Sequence, residues 1–373
     1  MFLNYNFKNY NYRLFLYVFT LNILGVFLIR SATNQDMSIV GKQILGIAIG
    51  VVVVIGLSLF DYHRVLSFAP VVYIVCLAGL IAVLVAGESH GGATRWLRLP
   101  GIGQIQPSEF VKIGLIVFFS WFFSKNQEKL NRPSVLAVGG ALYLLVFVLI
   151  YEQPDLSTDL VTLFVFLCMI YVAGLSYRWI FGGLAVAVPC GFLFVYLLQH
   201  GKVPFLHFYQ AKRILAFVNP AKYAEENLQQ KNSIMAIGSG MLQGKGLNNN
   251  TLASVKNGNF LSEEQTDFIF AVIGEELGFI GCAFVILLIA LIVFECLMMA
   301  AKAKDMMGRL LCVGLAGMLA FQSFSNIAVA TGIFPNTGLP LPFISYGVSS
   351  LMGIYLGIGI VLNVGLQRRN SNY

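Results

Sequence analysis

The stretch LSFAPVVYIVCLAGLIAVLVA, Leu66–Ala86, runs for 21 residues without a charged side chain. As an α-helix it measures about 30 Å, the depth of a bilayer's hydrocarbon core. It lacks the every-second-residue alternation of a barrel strand, and lipid admits only segments that satisfy their own backbone polar groups. It reads as a transmembrane helix. Nine similar blocks flank it, near Tyr12–Ile29, Gly41–Phe60, Ser108–Ser124, Ser134–Tyr151, Ser157–Leu175, Trp179–Gln199, Phe268–Ala300, Gly308–Thr331 and Phe343–Leu366. The chain of 373 residues is 58% hydrophobic and 11% charged, against about 25% charged in ordinary soluble domains. The expectation is an all-α polytopic membrane protein: one domain over 1–373, about ten spans between residues 12 and 366, and one long extracellular loop near 200–267. The first block has no small-residue cleavage site after it, so it reads as a retained span and not a signal peptide.

Lys and Arg in the short loops set the orientation. Lys8, Arg13, Arg64, Lys125, Lys129, Arg132, Arg178, Lys302, Lys304, Arg309, Arg368 and Arg369 fall on one side, and Arg30, Lys42, Arg95 and Arg98 on the other. Twelve against four places both termini in the cytoplasm, as an even number of spans requires. The net charge of +7 then reflects topology and attraction to anionic headgroups, and not nucleic-acid binding. Cys76, Cys168, Cys190, Cys282, Cys296 and Cys312 all fall inside spans, with no C-x-x-C pair. Buried small hydrophobes are expected at these positions, with no disulfide framework and no zinc site.

Three segments lie on the external side: Gly87–Pro107, rich in Gly and Pro; the long loop; and Gly332–Pro342. The long loop holds Lys202, Phe205, Phe208, Tyr209, Lys212, Arg213, Lys245, Lys256, Glu263 and Glu264, with apolar periodicity at Ile214–Val218 and a helix-compatible run at Asn227–Ile237. Structureless loops of this length are uncommon unless they work, so the working face is external.

Ionisable groups inside spans are functional candidates. Glu109 and Lys112 share a helix face; they are either a self-neutralising packing pair or the lining of a wet cavity. Asp267 opens a helix in Thr266-Asp267-Phe268-Ile269, where Thr266 or Asp267 is suited to cap it. Glu275 and Glu276 follow within three turns, more acid than one cap requires, and the trio suggests a base or a divalent-cation site. The run Gly238–Gly246 (GSGMLQGKG) does not meet the Walker spacing, so nucleotide binding is rejected; a backbone cradle for pyrophosphate beside Lys245 and an ordinary flexible loop both stay open. Trp96 is either an interfacial anchor or a stacking surface for a sugar, with Arg95 as phosphate partner. Gln322, Ser323 and Asn326 suggest a hydrogen-bonded seam between helices.

Six motifs, in order, carry a resemblance that runs nearly end to end: Gly92-Ala93-Thr94-Arg95-Trp96-Leu97 with Gln106-Pro107-Ser108-Glu109-Phe110-Val111-Lys112; Gln153-Pro154-Asp155-Leu156-Ser157-Thr158; Tyr209-Gln210-Ala211-Lys212-Arg213-Ile214; Gln243-Gly244-Lys245-Gly246-Leu247; Glu264-Gln265-Thr266-Asp267-Phe268-Ile269-Phe270-Ala271; and Pro340-Leu341-Pro342-Phe343-Ile344-Ser345-Tyr346-Gly347. The chain resembles the SEDS family of RodA, FtsW and SpoVE, and most of all its elongation (RodA) branch. Val348 departs from a usual glycine and is expected to restrict the backbone there.

The resemblance implies a peptidoglycan glycosyltransferase that polymerises lipid II into β-1,4 glycan strands at the outer face of the membrane. It implies Asp267 as the essential aspartate and general base, a sensitive Trp96, and Glu109 with Lys112 as a cavity-lining pair. Arg95, Lys212, Arg213 and Lys245 are the candidate pyrophosphate cations. A divalent cation, Mg or Mn, is expected, with ligand candidates Asp267, Glu275 and Glu276, and no organic cofactor. Expected partners are lipid II with the growing undecaprenyl-linked glycan, a class B penicillin-binding transpeptidase and other elongation-complex membrane proteins. The alternatives are a lipid II flippase, a non-catalytic scaffold for the transpeptidase, or the division or sporulation paralogue of the polymerase.

Overall fold

The computed structural model describes residues 7, 10–90, 93–99, 103–199, 208–248 and 264–367. Lys8, Gly92, Lys202, Phe205, Lys256, Glu263, Arg368 and Arg369 of the sequence argument lie outside them. The apolar runs become helices α1 (Tyr12–Ala32), α2 (Met37–Ser58), α4 (Ala69–Ala86), α5 (Pro107–Lys125), α6 (Pro133–Tyr151), α7 (Leu156–Val172), α8 (Tyr177–Gln199), α11 (Ile269–Ala301), α12 (Met306–Ala330) and α13 (Val348–Leu366). Among the described residues, nine helices are long and apolar enough to cross a membrane, and α7 is a shorter apolar one. A short helix α3 (Tyr62–Ser67) precedes α4, while α9 (Phe208–Val218) and α10 (Ala224–Ser239) fall in the long loop and cover both periodic stretches read there.

Local sequence marks the starts. Asn11, Asp36, Asp61, Asp155 and Asp305 cap α1, α2, α3, α7 and α12 through side-chain oxygens that accept backbone N–H groups two or three residues on. Proline opens α4, α5 and α6, where its missing N–H costs nothing.

The fold is not helical throughout. Gly87–Pro107, read as a Gly/Pro-rich segment, holds three short antiparallel strands, β1 (Glu88–His90), β2 (Ala93–Leu99) and β3 (Gly103–Ile105), in the order β1-β2-β3. Glu88 lies opposite Trp96, and Leu97 opposite Ile105. The small sheet joins the end of α4 to the start of α5 and packs β2 against both.

Within lipid, helices gain little from hydrophobic burial and associate through close packing. The centre belongs to α5, α12 and α13, which are buried along most of their length. α13 lies against α2 so closely that a Cβ at Gly50 would sit 2.0 Å from the Tyr355 ring. Phe119, Phe122, Phe123 and Phe166 interlock edge-to-face and stacked between α5 and α7. Apolar side chains such as Val85, Phe181 and Phe192 are exposed on the outside, as contact with hydrocarbon requires. Most of α8 is exposed, Cys190 included, so the expected burial fails there; the six cysteines are free.

α11 is two helices merged at a break. Gly278 has φ +67 and ψ −163, a conformation open to glycine alone. The Gly238–Gly246 run stitches itself to this break: Lys245 and Gly246 N–H donate to the carbonyls of Glu275 and Glu276 at 2.9 and 3.0 Å, and Phe279 and Ile280 N–H donate to Met241 and Leu242 at 2.9 and 3.2 Å. Val348 begins α13 with a negative φ, so it forces no unusual backbone.

Candidate active site

At one end of the bundle, the ends of the central helices enclose a polar cavity of about 480 Å³. Its wall comes from β2 (Arg95, Trp96), the start of α5 (Gln106, Glu109), the start of α7 (Asp155, Thr158), α9 (Arg213), the turn before α11 (Thr266, Asp267) and the loop from Gly338 to Gly347 with the first turn of α13 (Ser349, Ser350). Six segments far apart in sequence thus converge on one space.

Asp267 stands one residue before the N-cap position of α11, which is Phe268, a residue whose side chain makes no capping hydrogen bond. The acid is instead held from behind: Asn326 Nδ2 donates to the Asp267 carbonyl at 2.8 Å and to the Leu339 carbonyl at 2.7 Å. Ser345 Oγ donates to the Thr266 carbonyl at 2.6 Å, and the Tyr346 N–H to Gln265 at 2.8 Å. Gln322 Nε2 supports the same loop at the Pro340 carbonyl, 3.0 Å away. Gln322 and Asn326 therefore hold loop backbone and do not form the helix-to-helix seam read from sequence. The exception is the bond that Gln322 Oε1 accepts from Lys112 at 3.0 Å.

Gly338 faces the acid from the loop side. It has φ +76, and a Cβ built on it would lie 3.1 Å from Asp267 Oδ2 and 3.6 Å from Arg213 Nη1. One point in the cavity wall is thus within reach of both a carboxylate and a guanidinium. Arg213 Nη1 also donates to the Asn336 carbonyl at 3.3 Å.

Glu109 and Lys112 pair at 2.8 Å with side chains 4% and 1% exposed, but only Glu109 lines the cavity, while Lys112 turns inward. The remaining candidates lie elsewhere. Lys245 Nζ pairs with Glu275 at 2.8 Å, at the helix break. Glu276 accepts a hydrogen bond from Ser31 of α1. Lys212 is on α9 beside Arg213 but does not line the cavity. The trio Asp267, Glu275 and Glu276 is therefore not gathered. Among the described residues, no three His, Cys, Asp or Glu side chains come together in a way that could hold a metal ion.

The sequence reading gave no individual role to Gln106, Asp155, Thr158 and Gly338. Asp155 and Thr158 had a local signal, an acid before Leu-Ser-Thr and an apolar run, which is a helix start. Gly338 had none.

Against known proteins, the sequence model of the FtsW/RodA/SpoVE cell cycle protein family matches residues 12–370. The chain belongs to the SEDS family. Among relatives, the peptidoglycan glycosyltransferase MrdB of Escherichia coli K12 is 34% identical over 362 residues, covering 95% of this chain and 93% of that one. Two solved SEDS-like structures superpose over almost the whole chain. One is from a peptidoglycan synthase complex that coordinates polymerization and crosslinking, with TM-score 0.78, 29% identity and coverage of 95% and 97%. The other is the rod shape determining protein RodA of Thermus thermophilus, with TM-score 0.70, 28% identity and coverage of 97% and 98%.

Proposed function

We propose that this SEDS protein is a peptidoglycan glycosyltransferase that polymerises lipid II at the outer face of the cytoplasmic membrane. The observation that carries the reading is the Asp267 carboxylate and the Arg213 guanidinium around one point beside Gly338, with Arg95 and Trp96 on the same cavity wall. Asp267 takes the proton from the acceptor's 4-hydroxyl. That oxygen attacks the donor's anomeric carbon as the bond to pyrophosphate breaks, and the pyrophosphate departs with the electron pair. Attack opposite an α-linked leaving group gives the β-1,4 product. A pyrophosphate needs charge stabilisation more than a proton, and Arg95 and Arg213 supply it from fixed positions. Lys212 and Lys245, outside the cavity, are not assigned to it.

A divalent cation fits this donor set only in part. Glu109 and Asp155 are engaged with Lys112 and Arg95, and Asp267 shares the Gly338 wall with Arg213, so Asp267 would hold the ion mainly together with substrate phosphates, a pattern common for Mg²⁺. The ion would neutralise the leaving pyrophosphate. The loop-charge asymmetry supports cytoplasmic termini and an external cavity. The Thermus neighbour is a rod shape determining protein, which supports the elongation branch. The synthase-complex neighbour supports a class B penicillin-binding transpeptidase as partner.

The test is chain formation from purified lipid II by the full-length protein with its transpeptidase. Asp267→Asn is expected to lower the rate by about 10²–10⁴-fold, the usual worth of a general base. If neither protein makes chains while both carry lipid II across liposome membranes, the flippase reading replaces this one.

A further inference from the structure

Asp155 has no part in the mechanism above, yet its carboxylate ties three walls of the cavity together. It is 3% exposed. Oδ1 accepts the Thr158 N–H at 3.3 Å and Ser157 Oγ at 3.4 Å, and Oδ2 accepts Thr158 Oγ1 at 2.9 Å and Gln106 Nε2 at 3.3 Å. Oδ1 also lies 3.7 Å from Nη1 of Arg95, whose side chain is 18% exposed. The rest of that guanidinium donates to the two preceding carbonyls, Nε to Gln153 at 3.4 Å and Nη2 to Pro154. Three consecutive residues thus grip one arginine fork at the lip of the cavity.

A helix cap alone does not call for this acid, because Asn or Ser caps as well as Asp. What the carboxylate adds is a charge beside Arg95, shielded from solvent, where screening is weak. The Gln106 bond extends the tie to the base of α5, one turn from Glu109. We propose that Asp155 is a positioning residue for glycan transfer: it locks Arg95 in the orientation in which its exposed edge meets the leaving pyrophosphate. The proposal rests on the polymerase reading for the identity of that ligand. An arginine already fixed loses less freedom on meeting phosphate, and its charge acts without rearrangement.

A double-mutant cycle between Asp155→Asn and Arg95→Gln separates positioning from mere structure. It is run on full-length protein with its transpeptidase, and read both as kcat/KM for chain formation and as equilibrium binding of lipid II. Asp155→Asn is expected to lower kcat/KM by about tenfold in the wild-type background and by less than about twofold in the Arg95→Gln background. Asp155→Ser, which keeps a cap and removes the charge, is expected to match Asp155→Asn, and Asp155→Glu to recover part of the loss. A cap or packing role would instead cost the same factor in both backgrounds, and that additivity overturns the proposal. If the wild type makes no chains, the polymerase reading fails, and coupling or additivity in the binding cycle still decides the assignment of Asp155.

Discussion

Gly338 shows what the site demands of one residue. Its positive φ costs an L-residue roughly 1–2 kcal/mol, and a methyl there would crowd the Asp267 carboxylate at 3.1 Å. Gly338→Ala is therefore expected to shift the melting temperature by only a few degrees while reducing chain formation by about 10²-fold, because small misplacements of reacting groups are costly. An activity loss matched by general unfolding would contradict this. The Glu109–Lys112 pair answers to different physics. Lys112→Met leaves a buried carboxylate without its partner, at roughly 3–5 kcal/mol, whereas Glu109→Gln together with Lys112→Met removes both charges and costs far less. Thermal melts of the single and double variants in detergent check the order. Arg95, Trp96, Glu109, Arg213 and Asp267 were all legible in the sequence because charged residues, at 11%, and tryptophan, at three, are rare in this chain. Lys245 and Glu275 looked equally eligible, and only the tertiary fold shows that they neutralise each other away from the cavity.

At the level of elements, length and apolarity made the spans legible, since a helix must match the bilayer whatever its neighbours do. The break in α11 was not legible. Glu275-Glu276-Leu277-Gly278 sits inside a long apolar run, and a glycine there is as compatible with a continuous helix as with φ +67. The β-sheet was hidden for the opposite reason: its strands are three to seven residues long, too short for periodicity to stand out from the surrounding Gly and Pro. The break explains the Gly238–Gly246 loop. A helix interrupted at Gly278 has orphaned carbonyls and N–H groups, and the loop supplies their partners, with Lys245 closing the contact on Glu275. Lys245→Ala is accordingly expected to cost roughly 1–3 kcal/mol by leaving a buried acceptor unmet. It should leave the apparent affinity for lipid II within about twofold. A large loss of affinity with intact stability would return Lys245 to the pyrophosphate site.

Over the whole molecule the two ends of the bundle are built differently. The cavity end is loops and a small sheet. The opposite end is a knot of short polar bonds: His63 lies between Asp61 at 2.9 Å and Asp305 at 2.6 Å, Gln367 Nε2 donates to Asp61 at 3.0 Å, and Asn363 joins the turn at the end of α2 to α13 through Ser58 and Tyr62. This knot fixes α12 and α13 at one end while their other ends carry Asn326 and the cavity loop, so any opening of the site has to occur at the cavity end. Partial burial pushes the Asp61 carboxyl upward, but hydrogen bonds from Gln367 and His63 outweigh it and hold the group below its ordinary value of 3.8. A carboxyl depressed in the folded state stabilises that state fully above its unfolded value, and the contribution disappears as pH falls through the folded one. The melting temperature of the wild type should therefore exceed that of Asp61→Asn at about pH 5, and the margin should close as the pH falls below about 4. A margin that closes on the alkaline side instead would show that Asp61 is not the group through which the knot responds to acid.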